Sequence, residues 1–147
     1  VTSAISAAAE TWDAATASEL FNTYSVDYTA EYGVPDFKNS ITFGDYPSSG
    51  VIAVTTYWRT QKAKQILDFD ILFNTRFNWG DATINPGADI MDLQNIATHE
   101  LGHGIGLADI YNLACSDVTM YGYSDYGETS ERTLEPADIT GVQKMYG

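Results

Sequence analysis

The chain has 147 residues, with 20 acidic against 7 basic side chains and a formal net charge of −13 at pH 7. That length suits one domain, residues 1–147, and the acidity disfavours nucleic acid and anionic membrane surfaces as partners. No apolar run is long enough to span a bilayer, and the single cysteine, Cys115, cannot form an internal disulfide.

The elements follow in chain order. Val1–Leu20 reads as an alanine-rich helix with Ile5, Ala8, Trp12 and Ala15 on one face. Ser40–Phe43 alternates as a strand does, and Val51–Trp58 is β-branched and aromatic, hence a strand. Ile66–Phe73 is another, in which Asp68 and Asp70 alternate with Leu67, Phe69 and Ile71, predicting one core face and one polar face. Asp81–Asp89 is loop by its Pro, Gly and Asn content. Asp89 is the expected N-cap of the next helix, with Asp92 in its first turn.

That helix carries the most specific stretch of the chain, Thr98–Asp109, THELGHGIGLAD. It contains both histidines of the protein, His99 and His103. Residues four apart lie on one helical face, so the two imidazoles can share one ion. Glu100 sits about 100° further round, where it can act as general base on a metal-activated water. Ile90, Leu93, Ala97, Leu101 and Gly104 form an apolar stripe on roughly the opposite face. Gly106 suits a left-handed helix end because it lacks a Cβ, and a sharp turn there swings Asp109 back towards the histidines. Two nitrogens, one carboxylate oxygen and an open position make a catalytic zinc site.

The pattern HExxHxxGxxD resembles that of the metzincin zinc metalloproteases, most closely the matrixin-like enzymes of archaea and bacteria. Their third ligand is usually histidine; here it is Asp109, as in snapalysin-type members. The resemblance implies an α+β fold: a twisted mixed β-sheet with an antiparallel edge strand over the cleft, a long active-site helix, and a small C-terminal subdomain. The division falls between residues 1–106 and 107–147. It implies a methionine-centred turn under the metal, for which the candidate is Met120 in Ser116–Tyr123, SDVTMYGY. Tyr121 and Tyr123 then wall the specificity pocket, although Gly122 stands where matrixins carry proline. Gly50–Ala53 resembles the edge strand that pairs with extended substrate, which makes Ile52 and Ala53 the expected contacts. Arg132–Gly147 resembles the last matrixin helix, with Pro136 in its first turn and Ile139, Val142 and Met145 at helical spacing. Asp138 is read either as a brace for the methionine turn or an N-terminal ammonium, or as a solvated helix-start carboxylate.

The function that follows is a zinc-dependent endopeptidase acting on extended polypeptide, monomeric and extracellular by family habit. A pro-segment is expected upstream, with Val1 a maturation cut or a trimmed end. The second, histidine-bound zinc of vertebrate matrixins has no residues left to hold it, and the strand that usually precedes the first helix is absent. Asp45, Asp68, Asp70 and Asp81 could bind calcium as in family members, or form a solvated acidic face. Cys115 is expected to be a buried, inert thiol. Two rivals stand beside this reading. One is a gluzincin-type hydrolase with Glu128, Glu131 or Glu135 as third ligand; the other is a non-catalytic metal- or peptide-binding module on the same scaffold.

Overall fold

The amino-terminal helix is shorter than its alanine-rich run suggests. A computed structural model describes residues 1–147, and in it α1 spans Thr2–Asp13 rather than reaching Leu20. The chain leaves the helix because Asp13 Oδ1 accepts the backbone N–H groups of Leu20 (2.6 Å) and Phe21 (3.2 Å). Thr16 and Ser18 add their own local bonds, the usual way short polar side chains compete with a helical ladder. The buried face of α1 is Ala8 and Trp12. The Trp12 indole N–H donates to the carbonyl of Thr98 at 2.7 Å, fastening this helix to the middle of the later one.

Three strands follow: β1 (Ser40–Gly44), β2 (Ala53–Arg59) and β3 (Ile66–Asn74). They form a mixed sheet in the order β1-β3-β2, with β1 parallel and β2 antiparallel to β3. The expected antiparallel edge strand is therefore β2. It begins at Ala53, so Gly50–Ile52 lead into it rather than belonging to it. Short strands β4 (Trp79–Gly80) and β5 (Met91–Asp92) pair in parallel beyond the sheet.

The polar face predicted for β3 is not solvated. Asp68 is 2% exposed and Asp70 is fully buried, because the segment before β1 folds over them. Asp70 accepts the backbone N–H groups of Gly33, Val34 and Ser40, and Asp68 that of Phe37. Nor do the four aspartates considered for calcium meet. Asp45 pairs with Arg76 (2.8 Å) and Asp81 with Arg132 (2.9 Å), while Asp70 is taken up by these amides and Asp68 through Oδ2 alone, its Oδ1 being buried without a hydrogen bond.

Helix α2 (Leu93–Gly104) is the spine of the molecule. Its N-cap is Asp92, whose Oδ1 accepts Asn95 N–H at 2.8 Å, and not Asp89. The correction has a simple cause: β5 keeps the chain extended through Asp92, so no helical turn can start at Asp89. Leu93, Ala97, Leu101 and Gly104 are buried as the periodicity predicts, while Ile90 lies before the helix. Around α2 gather Trp12, Phe69, Ile71, Phe73, Ile96, Met120 and Val142 in one apolar cluster. Helix α3 (Pro136–Tyr146) closes the fold, and of its expected apolar positions only Val142 is fully buried.

Gly102 allows the closest approach in this core. A Cβ there would lie 2.3 Å from Met120 Sδ and 2.9 Å from Trp12 Cζ2. Gly102→Ala is therefore expected to destabilise the protein by about 1–3 kcal/mol through overpacking, read as a fall in Tm in a thermal melt. An unchanged Tm would show that Met120 and Trp12 can move aside freely.

Candidate active site

The site is built from the end of α2 outward. His99 and His103 lie one turn apart, with rings edge to face at 4.8 Å between centroids. His99 Nδ1 is 2.7 Å from the carbonyl of Thr119, and His103 Nδ1 is 2.8 Å from that of Leu107. A carbonyl only accepts, so each Nδ1 carries a proton and Nε2 is the nitrogen that would face a metal. The two Nε2 atoms face one another at 3.1 Å.

The turn that brings in the carboxylate closes at Gly106, at φ 105°. Leu107 N–H donates to Gly102 O and Gly106 N–H to His103 O, both at 2.9 Å, the paired bonds of a Schellman ending. Asp109 Oδ1 then comes 3.0 Å from His99 Nε2 and 3.1 Å from His103 Nε2. It is enclosed, yet makes no hydrogen bond of acceptable geometry. Its partner oxygen, Oδ2, accepts the hydroxyl of Tyr111 at 3.2 Å. Burial opposes charge on His99, but the adjoining Asp109 and Glu100 carboxylates outweigh it and lift its pKa to about 9. The pKa of His103 rises against burial for the same reason. The two imidazoles hold Asp109 far below the usual carboxylate range.

The donor set fits zinc. Two imidazole nitrogens and a carboxylate oxygen are its ordinary ligands. Three atoms spaced 3.0–3.1 Å apart can all lie about 2 Å from one point, the bond length zinc takes with such ligands. The enclosed oxygen of Asp109 makes no hydrogen bond, and a cation held between it and the two Nε2 atoms would satisfy it. These three residues are the group of His, Cys, Asp and Glu side chains able to hold a metal. The glutamates of the rival reading do not join them. Glu128 accepts Ser124 Oγ and Asp125 N–H, Glu135 caps α3, and Glu131 accepts Asn95 Nδ2.

Glu100 is 6% exposed. Its Oε2 accepts the hydroxyl of Thr55, on β2, at 2.5 Å. Thr55 carried no signal in the sequence, since only the packing of β2 on α2 brings the two together. Around these residues runs a cleft of about 480 Å³. Gly50–Thr55, with Ile52 and Ala53 among them, form one side, and Tyr111, Tyr121, Gly122, Tyr123 and Ser124 the other. The rings of Tyr111, Tyr123 and Tyr121 stack edge to face in sequence, at 5.4 and 5.8 Å. Tyr111 was not singled out from sequence; its place two residues after Asp109 was the available signal.

Met120 is 2% exposed, its sulfur against Gly102 between the two histidines in sequence. The segment around it is held from two sides. Ile110 N–H donates to Met120 O and Gly122 N–H to Ile110 O. Asp138 accepts the N–H groups of Thr119 (2.9 Å), Met120 (3.2 Å) and Glu135 (2.9 Å). Asp138 thus braces this turn and caps α3 at once. It is 3% exposed, neither solvated nor bound to an ammonium. Cys115 is half-buried in the 3-10 turn Leu113–Cys115, not buried as expected, and takes no part in the metal-binding group.

The strap Ser130–Arg132 ties the far side of the cleft to the start of α2. Arg132 pairs with the buried Asp92, and Glu131 N–H donates to Asn95 Oδ1 at 2.7 Å.

The family model of the matrixins, a peptidase family, matches residues 1–147. Among curated relatives, Metalloendoproteinase 1 of Glycine max is 35% identical over 69 residues, covering 46% of this chain and 21% of that protein. Matrix metalloproteinase-16 of Homo sapiens is 40% identical over 65 residues, covering 43% of this chain and 10% of that protein. The match thus spans only about a fifth and a tenth of the length of these relatives.

Proposed function

Since the chain belongs to the matrixin family of metallopeptidases, we propose that it is a zinc-dependent endopeptidase with His99, His103 and Asp109 as ligands and Glu100 as general base. The observation that carries the reading is the meeting of two Nε2 atoms and Asp109 Oδ1 within 3.1 Å in a cleft that Glu100 also lines. Zinc, when bound there, supplies Lewis acidity towards the scissile carbonyl and the attacking water.

The chain's own residues do the rest. The carbonyls of Thr119 and Leu107 fix the tautomer and aim of the two imidazoles. Tyr111 holds Asp109 by its outer oxygen, Oδ2. The Thr55 hydroxyl holds Glu100 by Oε2, which leaves Oε1 to take a proton from the attacking water. The same carboxyl then returns that proton to the leaving amine, since acid and base roles are the reverse of one another. β2 lies at the free edge of the sheet, so its backbone, from Ile52 and Ala53 onward, can pair with an extended peptide whatever its side chains. Tyr121 and Tyr123 form the opposite wall. Met120 supports the turn that carries Thr119.

The chain acts in this reading as one catalytic domain, residues 1–106 and 107–147 contributing the two sides of the cleft. Polypeptide is its substrate, and it works as a monomer outside the cell, in keeping with the family resemblance. No helix is long and apolar enough to cross a membrane. Calcium is no part of the proposal, because the four candidate aspartates do not come together in one metal-binding group.

The test is direct. Cleavage of a denatured protein is expected to stop when a chelator removes the metal and to return when one equivalent of zinc is restored. Cleavage that persists in the metal-free protein would refute the assignment.

A further inference from the structure

Beside the histidines the recess is lined by Ile96 of α2, the segment Tyr121–Ser124 and Glu131. Glu131 is 4% exposed. One carboxylate oxygen, Oε2, accepts Asn95 Nδ2 at 3.0 Å. Glu131 Oε1 has no such partner and is not among the enclosed side-chain atoms, so it opens on the recess. Glu128 lies outside the lining and accepts the hydroxyl of Ser124 at 3.0 Å. No lysine or arginine lines the cleft. The nearest base in sequence, Arg132, turns away to Asp92 and Asp81.

A buried carboxyl with no lysine or arginine beside it is an unusual feature to retain, because charge taken out of water needs an opposite charge to offset its desolvation, and only the His99 imidazole acts on Glu131 in that sense. Burial accordingly pushes the Glu131 pKa up to about 8. A substrate side chain that brings a positive charge into the recess supplies the missing partner. We propose that Glu131 is a specificity-determining residue that selects a cationic substrate residue, lysine or arginine, next to the scissile bond. The inference rests on the endopeptidase reading and deepens it. The walls supplied by Ile96 and the two tyrosines suit the apolar stem of such a side chain, and Glu131 suits its charged end.

The experiment compares peptides that differ only by lysine or its uncharged isostere norleucine at each position flanking the scissile bond. At one flanking position, wild type is expected to favour lysine by roughly ten- to hundredfold in kcat/KM, the range of a hydrogen bond to a charged group. Glu131→Gln keeps the bond with Asn95 and is expected to bring the ratio near one. Wild-type cleavage of both peptides at equal rates, or a lysine preference that survives in Glu131→Gln, overturns this inference and leaves the endopeptidase reading standing. Failure to cleave either peptide overturns that reading instead. The selectivity is then read from binding: the zinc-loaded Glu100→Gln protein is expected to bind the lysine peptide more tightly in calorimetry, and equal affinities would overturn the inference.

Discussion

Glu100→Gln is expected to lower kcat/KM for peptide cleavage by about 10²–10⁴, the usual contribution of a positioned acid–base group, while zinc remains bound at one equivalent. The separation follows from geometry. Glu100 lies outside the group formed by His99, His103 and Asp109, so its loss leaves the metal's ligands in place. Glutamine can still accept the Thr55 hydroxyl through its amide oxygen, which keeps the side chain close to its native position. What it cannot do is take a proton at neutral pH. Metal analysis and steady-state kinetics on the same preparation read both halves. Full activity in the variant would remove Glu100 from the mechanism. A zinc-loaded wild type that cleaves no denatured protein or peptide library, unchanged by the substitution, would favour the non-catalytic module.

Asp109→Ala is expected to have its largest effect one step earlier, on zinc binding. The substitution removes one of three ligands and the only negative charge among them. Zinc affinity should fall by more than the roughly 10–100-fold that losing an outer-shell partner costs. Tyr111→Phe removes only such an outer partner, the bond to Oδ2 at 3.2 Å, and its loss should stay within that range. Competition titration against a chromophoric chelator measures both. An Asp109→Ala protein that kept wild-type zinc affinity would return one of the downstream glutamates to consideration. Glu131 would be the foremost, since it alone of the three lines the cleft.

Much of the site was legible because it is local. From His99 to Asp109 the spacing of ligands, glycine and carboxylate is fixed by helix geometry and one turn. The structure brings the predicted side chains to within 3.1 Å of each other by the route the glycine suggested. Boundaries were less legible. Helix α1 ends at Asp13 because that side chain captures two amides seven and eight residues on. The helix α2 cap moved from Asp89 to Asp92 because β5 pairs with β4. Alternation along β3 located the strand, but not that a distant loop would cover Asp68 and Asp70.

The sequence by itself determined the elements whose signal is periodic or confined to a few residues: the helix bearing both histidines, its left-handed ending, the three strands of the main sheet, and the terminal helix begun at Pro136. Each depends on backbone geometry that neighbouring residues set. Only the tertiary structure decided which groups meet across the chain: Thr55 on Glu100, Asp138 under the Met120 turn, Trp12 on Thr98, and Glu131 in the wall of the cleft. These contacts join residues 18 to 86 positions apart, or lie on separate elements altogether. Sequence spacing does not encode them, because they exist only once the apolar faces of sheet and helices have packed together around α2.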